Sequence, residues 1–531
     1  MSNVEPAFDV STGRRMSMAV AVLMILAAVL GTAVVLLATP YGLSLRDDSY
    51  SYIAGAVSLA RGTGFGRLTG DGSVNPITNF PPLYSLTLAV PVEAGIDVYL
   101  FGRILNSALF GLTALVAVVA VYRATVSVGY VAFAAGIVLG SGTLIEQYIW
   151  VQSEPVFLGL EIVALVSIGS YINGPSRRAF LWLAVAAITL AAFTRFVGIG
   201  LILTCSLALL LFHRKPFVAR AKEASLLLLV GLAPLIGFTL RNLTLKGSAA
   251  NRPTPFWHPP AADAWRGALV LSLKWLLPDR IAAFLTDSNW LSLVTFFALA
   301  FAATWLWLGL AKKMRTSDSS DPGLDHLTIQ GLFCLTYLIF IVFTVLFLDR
   351  LTPLDERILA PVHLSLFVIL VLGAARLSRG STLKKRWSIG LLCFAFAAFQ
   401  ILRSLLIVES LVRDGHGYAS ERWRTSPTLT YARGLPGVPI FTNNLPAVYF
   451  VAGRTAYVIP APTNLSNLEA NPNYARELLE MRQLLRDADG YLVYVGYTPT
   501  DTQGAEEFKT LTSGLVPVQV FPEGAVYKAG G

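Results

Sequence analysis

Eleven stretches of mostly apolar residues, separated by shorter polar segments, constrain this chain more than any other feature. They cover residues 18–38, 101–122, 128–146, 155–172, 179–194, 196–212, 224–241, 291–311, 327–348, 358–376 and 388–408. A helix needs roughly 20 such residues to cross a bilayer. A helix also satisfies its own backbone hydrogen bonds where no water is available. Only 14% of residues are charged and 55% are hydrophobic, against about 25% charged in a soluble domain. The mean hydropathy is +0.62. The expected fold is an all-α polytopic membrane bundle of about eleven transmembrane helices, followed by a small extracytoplasmic α/β domain.

Basic residues set the expected topology. Arg14 and Arg15 precede the first run, which is too long for a secretory leader and reads as a retained signal-anchor. With the N-terminus cytoplasmic, the other inner segments carry Arg123, then Arg177 and Arg178, then Arg214, Lys215, Arg220 and Lys222. Lys312, Lys313 and Arg315 follow, and then Arg376, Arg379, Lys384, Lys385 and Arg386. This alternation requires 179–194 and 196–212 to be two spans meeting at Arg195. If they were one long helix, every later basic cluster would face outward. The net charge of +9 is therefore a topology signal and not a nucleic-acid one. The short loops suggest a bacterial inner membrane.

Two modules are expected. Residues 1–408 form the membrane module, with outer segments 39–100 and 242–290. The second segment is rich in Pro253, Pro255, Trp257, Pro259, Pro260 and Trp265, and 261–277 has an amphipathic pattern suited to the membrane interface. Residues 409–531 form a soluble domain. Val438–Thr442 and Gly490–Val495 read as buried strands and Pro517–Phe521 and Ala525–Lys528 as a closing pair. Asn473–Ala488 reads as an amphipathic helix, with Leu478, Leu479, Met481, Leu484 and Leu485 as its apolar residues.

Chemistry concentrates at the outer ends of the runs. Asp47 and Asp48 follow the first run and lead into Tyr50–Arg61, which reads as a helix with Asp48 or Ser49 near its N-terminus, and its positive end favours ionised carboxylates. Adjacent helical side chains diverge by about 100°, so the two are not expected to act as one clamp. The same pair can also serve simply as the N-terminal carboxylates of a surface helix. Gln152-Ser-Glu-Pro155 opens the fourth run, Phe193-Thr-Arg-Phe-Val-Gly198 joins the fifth to the sixth, and Asp355-Glu-Arg-Ile-Leu-Ala-Pro361 opens the tenth.

In order and placement these motifs resemble the outer loops of the GT-C glycosyltransferases, the polyprenyl-phosphate-sugar-dependent class that includes protein O-mannosyltransferases and lipid A aminoarabinose transferases. Members carry an acidic pair after the first span, then an aromatic and alanine-rich helix, here Tyr50, Tyr52, Ala54, Ala56 and Ala60. A glycine-containing turn follows, here Arg61–Gly66, and then a Pro-Pro stretch, here Asn79–Ser85. Ile358 stands where the class carries an aromatic. The resemblance implies sugar transfer from a polyprenyl-phosphate donor to a glycan, lipid or protein acceptor, with inversion.

In that reading Asp47 is the general base that takes the acceptor proton, and Asp48 is its alternative or its orienting neighbour. A guanidinium should meet the lipid phosphate, where negative charge develops. Arg357 is the first candidate, then Arg195 and Arg103. Glu154 binds the sugar, assists the base or holds a cation, and Tyr50 and Tyr84 complete the substrate-binding set. Some relatives use a divalent cation and others none; no required metal is expected here. The five histidines, His213, His258, His326, His363 and His416, show no ligand spacing. Cys205, Cys334 and Cys393 each lie within an apolar run and read as small apolar side chains.

Gly62-x-Gly64-x-Gly66 lacks the strand and helix of a nucleotide fingerprint. With no nucleotide-binding domain, direct use of nucleotide sugars and ATP-driven pumping are disfavoured. The competing readings are a secondary transporter or lipid flippase, and a non-catalytic membrane protein whose tail binds a wall component. Transporters place charges at the midplane of broken helices, whereas here the charges sit at outer helix ends.

Overall fold

A computed structural model of the chain describes residues 17–530 other than 71, 174–177, 250–255, 317–320, 465–468 and 497–500. Arg14, Arg15, Arg177, Pro253 and Pro255 lie outside the described residues. All eleven apolar runs are helical. The first is α1 (Met18–Ala38), followed by a short amphipathic helix, α2 (Asp47–Ala60), a hairpin of β1 (Gly66–Leu68) and β2 (Val74–Pro76), and α3 (Leu83–Glu93). Then come α4 (Val98–Thr125), α5 (Val128–Leu139), α6 (Gly142–Tyr148), α7 (Glu154–Asn173), α8 (Arg178–Thr194), α9 (Gly198–Phe212) and α10 (Phe217–Lys246). The outer segment 242–290 contains α11 (Ala262–Lys274), within the stretch read as amphipathic, and α12 (Asp279–Leu285) beyond it; α13 (Asn289–Thr316), α14 (Pro322–Phe343), α15 (Glu356–Ser378) and α16 (Leu383–Asp414) complete the bundle.

Among the described residues eight helices are long and apolar enough to span a membrane. The run at 128–146, expected as one span, is instead two helices bent by 59°. Gly140 ends α5, and the Ser141 hydroxyl accepts a hydrogen bond from the Leu144 amide at 3.2 Å, starting a new helix. The α8–α9 pair, 17 and 15 residues long, is antiparallel. Arg195, at their junction, pairs with Glu154 at the start of α7. His213, at the far end of α9, lies 4.9 Å from the ring of Tyr171 at the other end of α7. Each short helix therefore traverses the same height as α7.

Packing follows membrane rules, in which small residues let backbones approach. Gly31 of α1 faces Gly111 of α4, and a Cβ on Gly111 would collide with the Ala28 carbonyl and the Thr32 hydroxyl. We expect Gly111→Val to lower stability by about 1–3 kcal/mol through overpacking, read as a lower midpoint of thermal unfolding in detergent. By contrast, none of the apolar window of α13 is buried, and Trp290, Phe297, Phe301 and Trp305 project outward. That surface is stable only in a solvent of lipid. The three cysteines are free and sit in α9, α14 and α16.

Beyond α16 the chain forms α17 (Glu421–Arg424), α18 (Pro427–Arg433), β3 (Ile440–Thr442), the single turn α19 (Leu445–Ala447) and β4 (Tyr457–Val458). It continues through α20 (Tyr474–Asp487), β5 (Tyr491–Val495), α21 (Thr502–Thr512), β6 (Leu515–Phe521) and β7 (Gly524–Ala529). The strands form one sheet in the order β4-β3-β5-β7-β6, parallel on the β4 side and antiparallel on the β6 side. One face packs Leu492 and Phe441 against Leu478, Met481 and Leu485 of α20. The other packs Val493, Val495 and Val526 against Leu429 and Ala432 of α18. Leu479, expected among the apolar residues of α20, is exposed: successive side chains on a helix diverge, and the sheet covers only one stripe. The edge strand β4 had no sequence signal, being only two residues long.

The sheet unit is fastened to the membrane bundle next to the acidic pair. Leu45 bridges to Gly417, and the Tyr418 amide donates to the Leu45 carbonyl at 2.8 Å. Gly417 has φ +55°, and a Cβ there would strike the Leu45 carbonyl. Only glycine fits this seam.

Candidate active site

Local sequence explains the placement of each polar group. The extended residue Arg46 caps α2, and its amide donates to the Ser49 hydroxyl at 3.1 Å. Asp47 and Asp48 thus occupy the first helical turn, where the helix dipole favours negative charge. Beside them, the Ser44 amide donates to the Ile149 carbonyl at 2.7 Å and the Val151 amide to the Ser44 carbonyl at 3.1 Å. This pairing brings Ser153 and Glu154, at the start of α7, against α2. The Asp355 carboxylate accepts from the Arg357 and Ile358 amides at 3.0 and 3.2 Å, so α15 begins with Arg357 fixed in its first turn.

These elements converge on one chain of ion pairs. Arg357 donates from Nη2 to Asp48 Oδ2 and from Nε to Glu154 Oε1, both at 2.8 Å. Arg195 pairs with the same Glu154 oxygen and donates to the Ser153 hydroxyl at 3.4 Å. The Glu154 side chain is only 2% exposed. A lone carboxylate there would be strongly disfavoured, and two guanidinium groups offset that. Burial works against the charge of Arg195, but the Glu154 carboxylate outweighs it and holds the guanidinium above its ordinary value. Glu154 Oε2 is buried with no hydrogen bond from any described residue.

Asp47 and Asp48 diverge. Asp48 turns in to Arg357, while Asp47 is exposed and accepts a 2.7 Å hydrogen bond from the Tyr418 hydroxyl of the C-terminal unit. Tyr418 also lies 2.9 Å from Asn444 Oδ1. Arg46 stacks 3.5 Å over the Trp150 ring. Burial first, and then repulsion from Arg357, pull the Arg46 guanidinium below its ordinary value. Its Nε is buried without a hydrogen-bond partner among the described residues.

Of the residues singled out from sequence, the structure brings Asp47, Asp48, Glu154, Arg195 and Arg357 together. Tyr50 and Tyr84 flank them. The Tyr50 hydroxyl donates to the Leu68 carbonyl at 3.3 Å, and its ring packs 4.9 Å from Tyr449. Tyr84 is fully buried behind Tyr52, whose hydroxyl lies 2.9 Å from that of Ser153. Arg103 does not join the cluster. It donates to the Leu36 carbonyl at 2.8 Å and to the Thr39 hydroxyl at 3.1 Å, capping the C-terminal end of α1, where free carbonyls attract a cation. Sequence reasoning missed Arg46, although it adjoins the acidic pair. It also missed Tyr418 and Asn444, which carry no motif and reach Asp47 only through the fold.

No family model matches the sequence, and no curated protein matches it significantly. Solved structures do match. The lipid-bound structure of ArnT from Cupriavidus metallidurans, in complex with undecaprenyl phosphate, superposes over 96% of this chain and 99% of its own, with TM-score 0.58 and 13% identity. The oligosaccharyltransferase AglB from Archaeoglobus fulgidus, in complex with an inhibitory peptide and a dolichol-phosphate, superposes over 90% of this chain and 69% of its own, with TM-score 0.51 and 14% identity. Both are GT-C membrane glycosyltransferases, and the fold of this multi-pass chain is the GT-C fold.

Proposed function

We propose that this GT-C-fold chain is a glycosyltransferase that moves a sugar from a polyprenyl-phosphate donor to an extracytoplasmic acceptor. The observation that carries the reading is the gathering of Asp48, Glu154, Arg195 and Arg357, from four separate places in the chain, into one ion-pair chain beside an exposed Asp47. A structural network needs no exposed carboxylate at its edge, whereas a base must reach the incoming hydroxyl.

In the proposed reaction Asp47 takes the acceptor proton as the acceptor oxygen attacks the anomeric carbon. The anomeric carbon–phosphate oxygen bond breaks, and its electron pair leaves with the lipid phosphate. Arg357 has five N–H donors and commits two of them to Asp48 and Glu154, so the rest can receive that phosphate. Arg46, whose charge is strained by burial and by Arg357, gains from an added anion and is proposed as a further phosphate contact. Glu154 Oε2 is proposed to accept from a donor sugar hydroxyl. Displacement inverts the anomeric centre. The likeness to the lipid-phosphate complexes supports the donor class. The acceptor is a glycan, lipid or protein, and residues 242–290 are proposed to close over the bound donor.

No divalent cation is required in this reading, because guanidinium groups already neutralise Asp48 and Glu154. The chain is proposed to lie in a bacterial inner membrane, with its N-terminus cytoplasmic and its sheet unit outside.

The test is purified protein supplied with a panel of radiolabelled polyprenyl-phosphate sugars and a membrane extract as acceptor, with and without EDTA. We expect one donor to lose its label equally in both conditions. Folded protein that discharges no donor would favour the transporter reading, and chelator-sensitive transfer would remove the metal-free proposal alone.

A further inference from the structure

The Tyr418 hydroxyl has one proton and two oxygen acceptors. Asp47 Oδ1 lies 2.7 Å away and Asn444 Oδ1 2.9 Å away. An amide can be turned to present its NH₂ group instead, but here it is held. Asn444 caps α19, and its Oδ1 accepts from the Ala447 amide at 3.0 Å. Turning the amide would set donor against donor. The residue is pinned further: its own amide donates to the Thr442 hydroxyl at 3.1 Å. The neighbouring Asn443 side chain exchanges hydrogen bonds of 2.7 and 2.8 Å with the Val495 backbone of β5. Tyr418 is held equally firmly by the hydrogen bond that its backbone amide donates to the Leu45 carbonyl.

With Asp47 ionised, Tyr418 donates to it and the Asn444 contact is left as oxygen against oxygen. With Asp47 protonated, every oxygen is satisfied: the carboxyl O–H donates to the Tyr418 oxygen, and the Tyr418 O–H swings to Asn444 Oδ1. We infer that Tyr418 holds Asp47 as the ionised base and that Asn444, acting through Tyr418, stabilises the form Asp47 takes after accepting a proton, so that the C-terminal sheet unit supplies two positioning residues to the active site. This rests on the assignment of Asp47 as the base. In the reaction the acceptor O–H bond breaks, the proton joins Asp47, and the Tyr418 proton rotates from Asp47 to Asn444 without leaving its oxygen. The proton on exposed Asp47 then returns to water. The Asn444 contact strengthens as the proton moves, and an interaction of that kind lowers the barrier and not merely the substrate KM. Burial, and then Asp47 itself, hold the Tyr418 phenol above its ordinary range, so it remains a donor.

The charged groups linked to the adjoining Arg46 and Asp48 are Glu154 on α7, Arg195 at the α8–α9 junction, and Asp355 and Arg357 at the start of α15; His416 precedes the seam, against Trp150. All are retained in two variants, Tyr418→Phe and Asn444→Ser. Serine keeps a capping oxygen for α19 but is too short to reach Tyr418.

The primary readout needs no substrate. Carbodiimide modifies protonated carboxyl groups, and tandem mass spectrometry separates Asp47 from Asp48, so the pH midpoint of Asp47 modification can be followed in the full-length protein. Tyr418→Phe removes a charge-assisted bond to the ionised form and should raise the midpoint by about one pH unit. Asn444→Ser removes a partner only of the protonated form and should lower it by about half a unit. A merely structural role would not move the two variants in opposite directions. In the transfer assay kcat should fall about tenfold to a hundredfold for Tyr418→Phe and roughly threefold to tenfold for Asn444→Ser, with donor KM little changed. Midpoints that stay in place, or that move the same way, overturn the relay whatever the activity. Transfer that survives Asp47→Asn instead overturns the base assignment while leaving the midpoints interpretable.

Discussion

Asp47→Asn is expected to lower transfer about a hundredfold to ten-thousandfold, the range that a positioned general base contributes. The amide keeps the size and the place of the carboxylate at the start of α2 and still accepts the hydrogen bond from Tyr418, so the fold should survive. It cannot take a proton. Donor affinity should change little, because the phosphate contacts proposed for Arg357 and Arg46 are intact, and the loss should appear in kcat. Asp48→Asn provides the contrast. Asp48 spends its carboxylate on Arg357, so that variant should weaken the ion-pair chain and lower activity less steeply. Equal activity in Asp47→Asn and wild-type protein, measured as radiolabel moved from donor to acceptor at saturating donor, would remove Asp47 as the base.

Arg357→Met should have the largest effect on stability of any single change at the site. Glu154 is nearly inaccessible, and two guanidinium groups share its Oε1 atom. Removing one of them leaves a buried carboxylate with half its compensation, and breaking a buried pair costs about 3–5 kcal/mol. The exposed side of the site softens this, since Asp48 can turn to water. Transfer should be lost together with lipid-phosphate binding. Arg357→Lys should recover part of the stability and little of the activity, because one ammonium cannot bridge two carboxylates in the planar fork that Arg357 uses. Glu154→Gln with Arg357→Met tests the account directly. Neutralising the abandoned acid should restore much of the thermal midpoint without restoring transfer. If Arg357→Met alone left the midpoint in detergent unchanged, the ion-pair chain would be a surface feature of no energetic consequence.

The sequence by itself determined the membrane architecture. The apolar runs needed only length and composition to be read, because a lipid solvent imposes one simple demand on every spanning helix. Asp47, Asp48, Glu154, Arg195 and Arg357 were legible for a related reason: charged groups at the ends of apolar helices stand out against an uncharged background. The α20 helix and the strands β3, β5, β6 and β7 also announced themselves by local periodicity.

Tertiary structure decided which of these residues meet. Arg103 and Arg195 look alike in sequence, each a lone arginine near an outer helix end. Arg103 turns to the carbonyls of α1, whereas the α8–α9 junction carries Arg195 to Glu154. That choice depends on how helices lie side by side, which no local pattern encodes. The bend between α5 and α6 likewise arises from one capping serine within an unbroken apolar run. Tyr418, which touches Asp47, and Asn444, which reaches it through Tyr418, lie 371 and 397 positions away in the chain, and the Tyr418 contact is the join. It exists because Gly417 allows the C-terminal unit to pair with Leu45 at van der Waals distance, and hydrogen bonds of that range follow from the packing of whole elements and not from the order of residues.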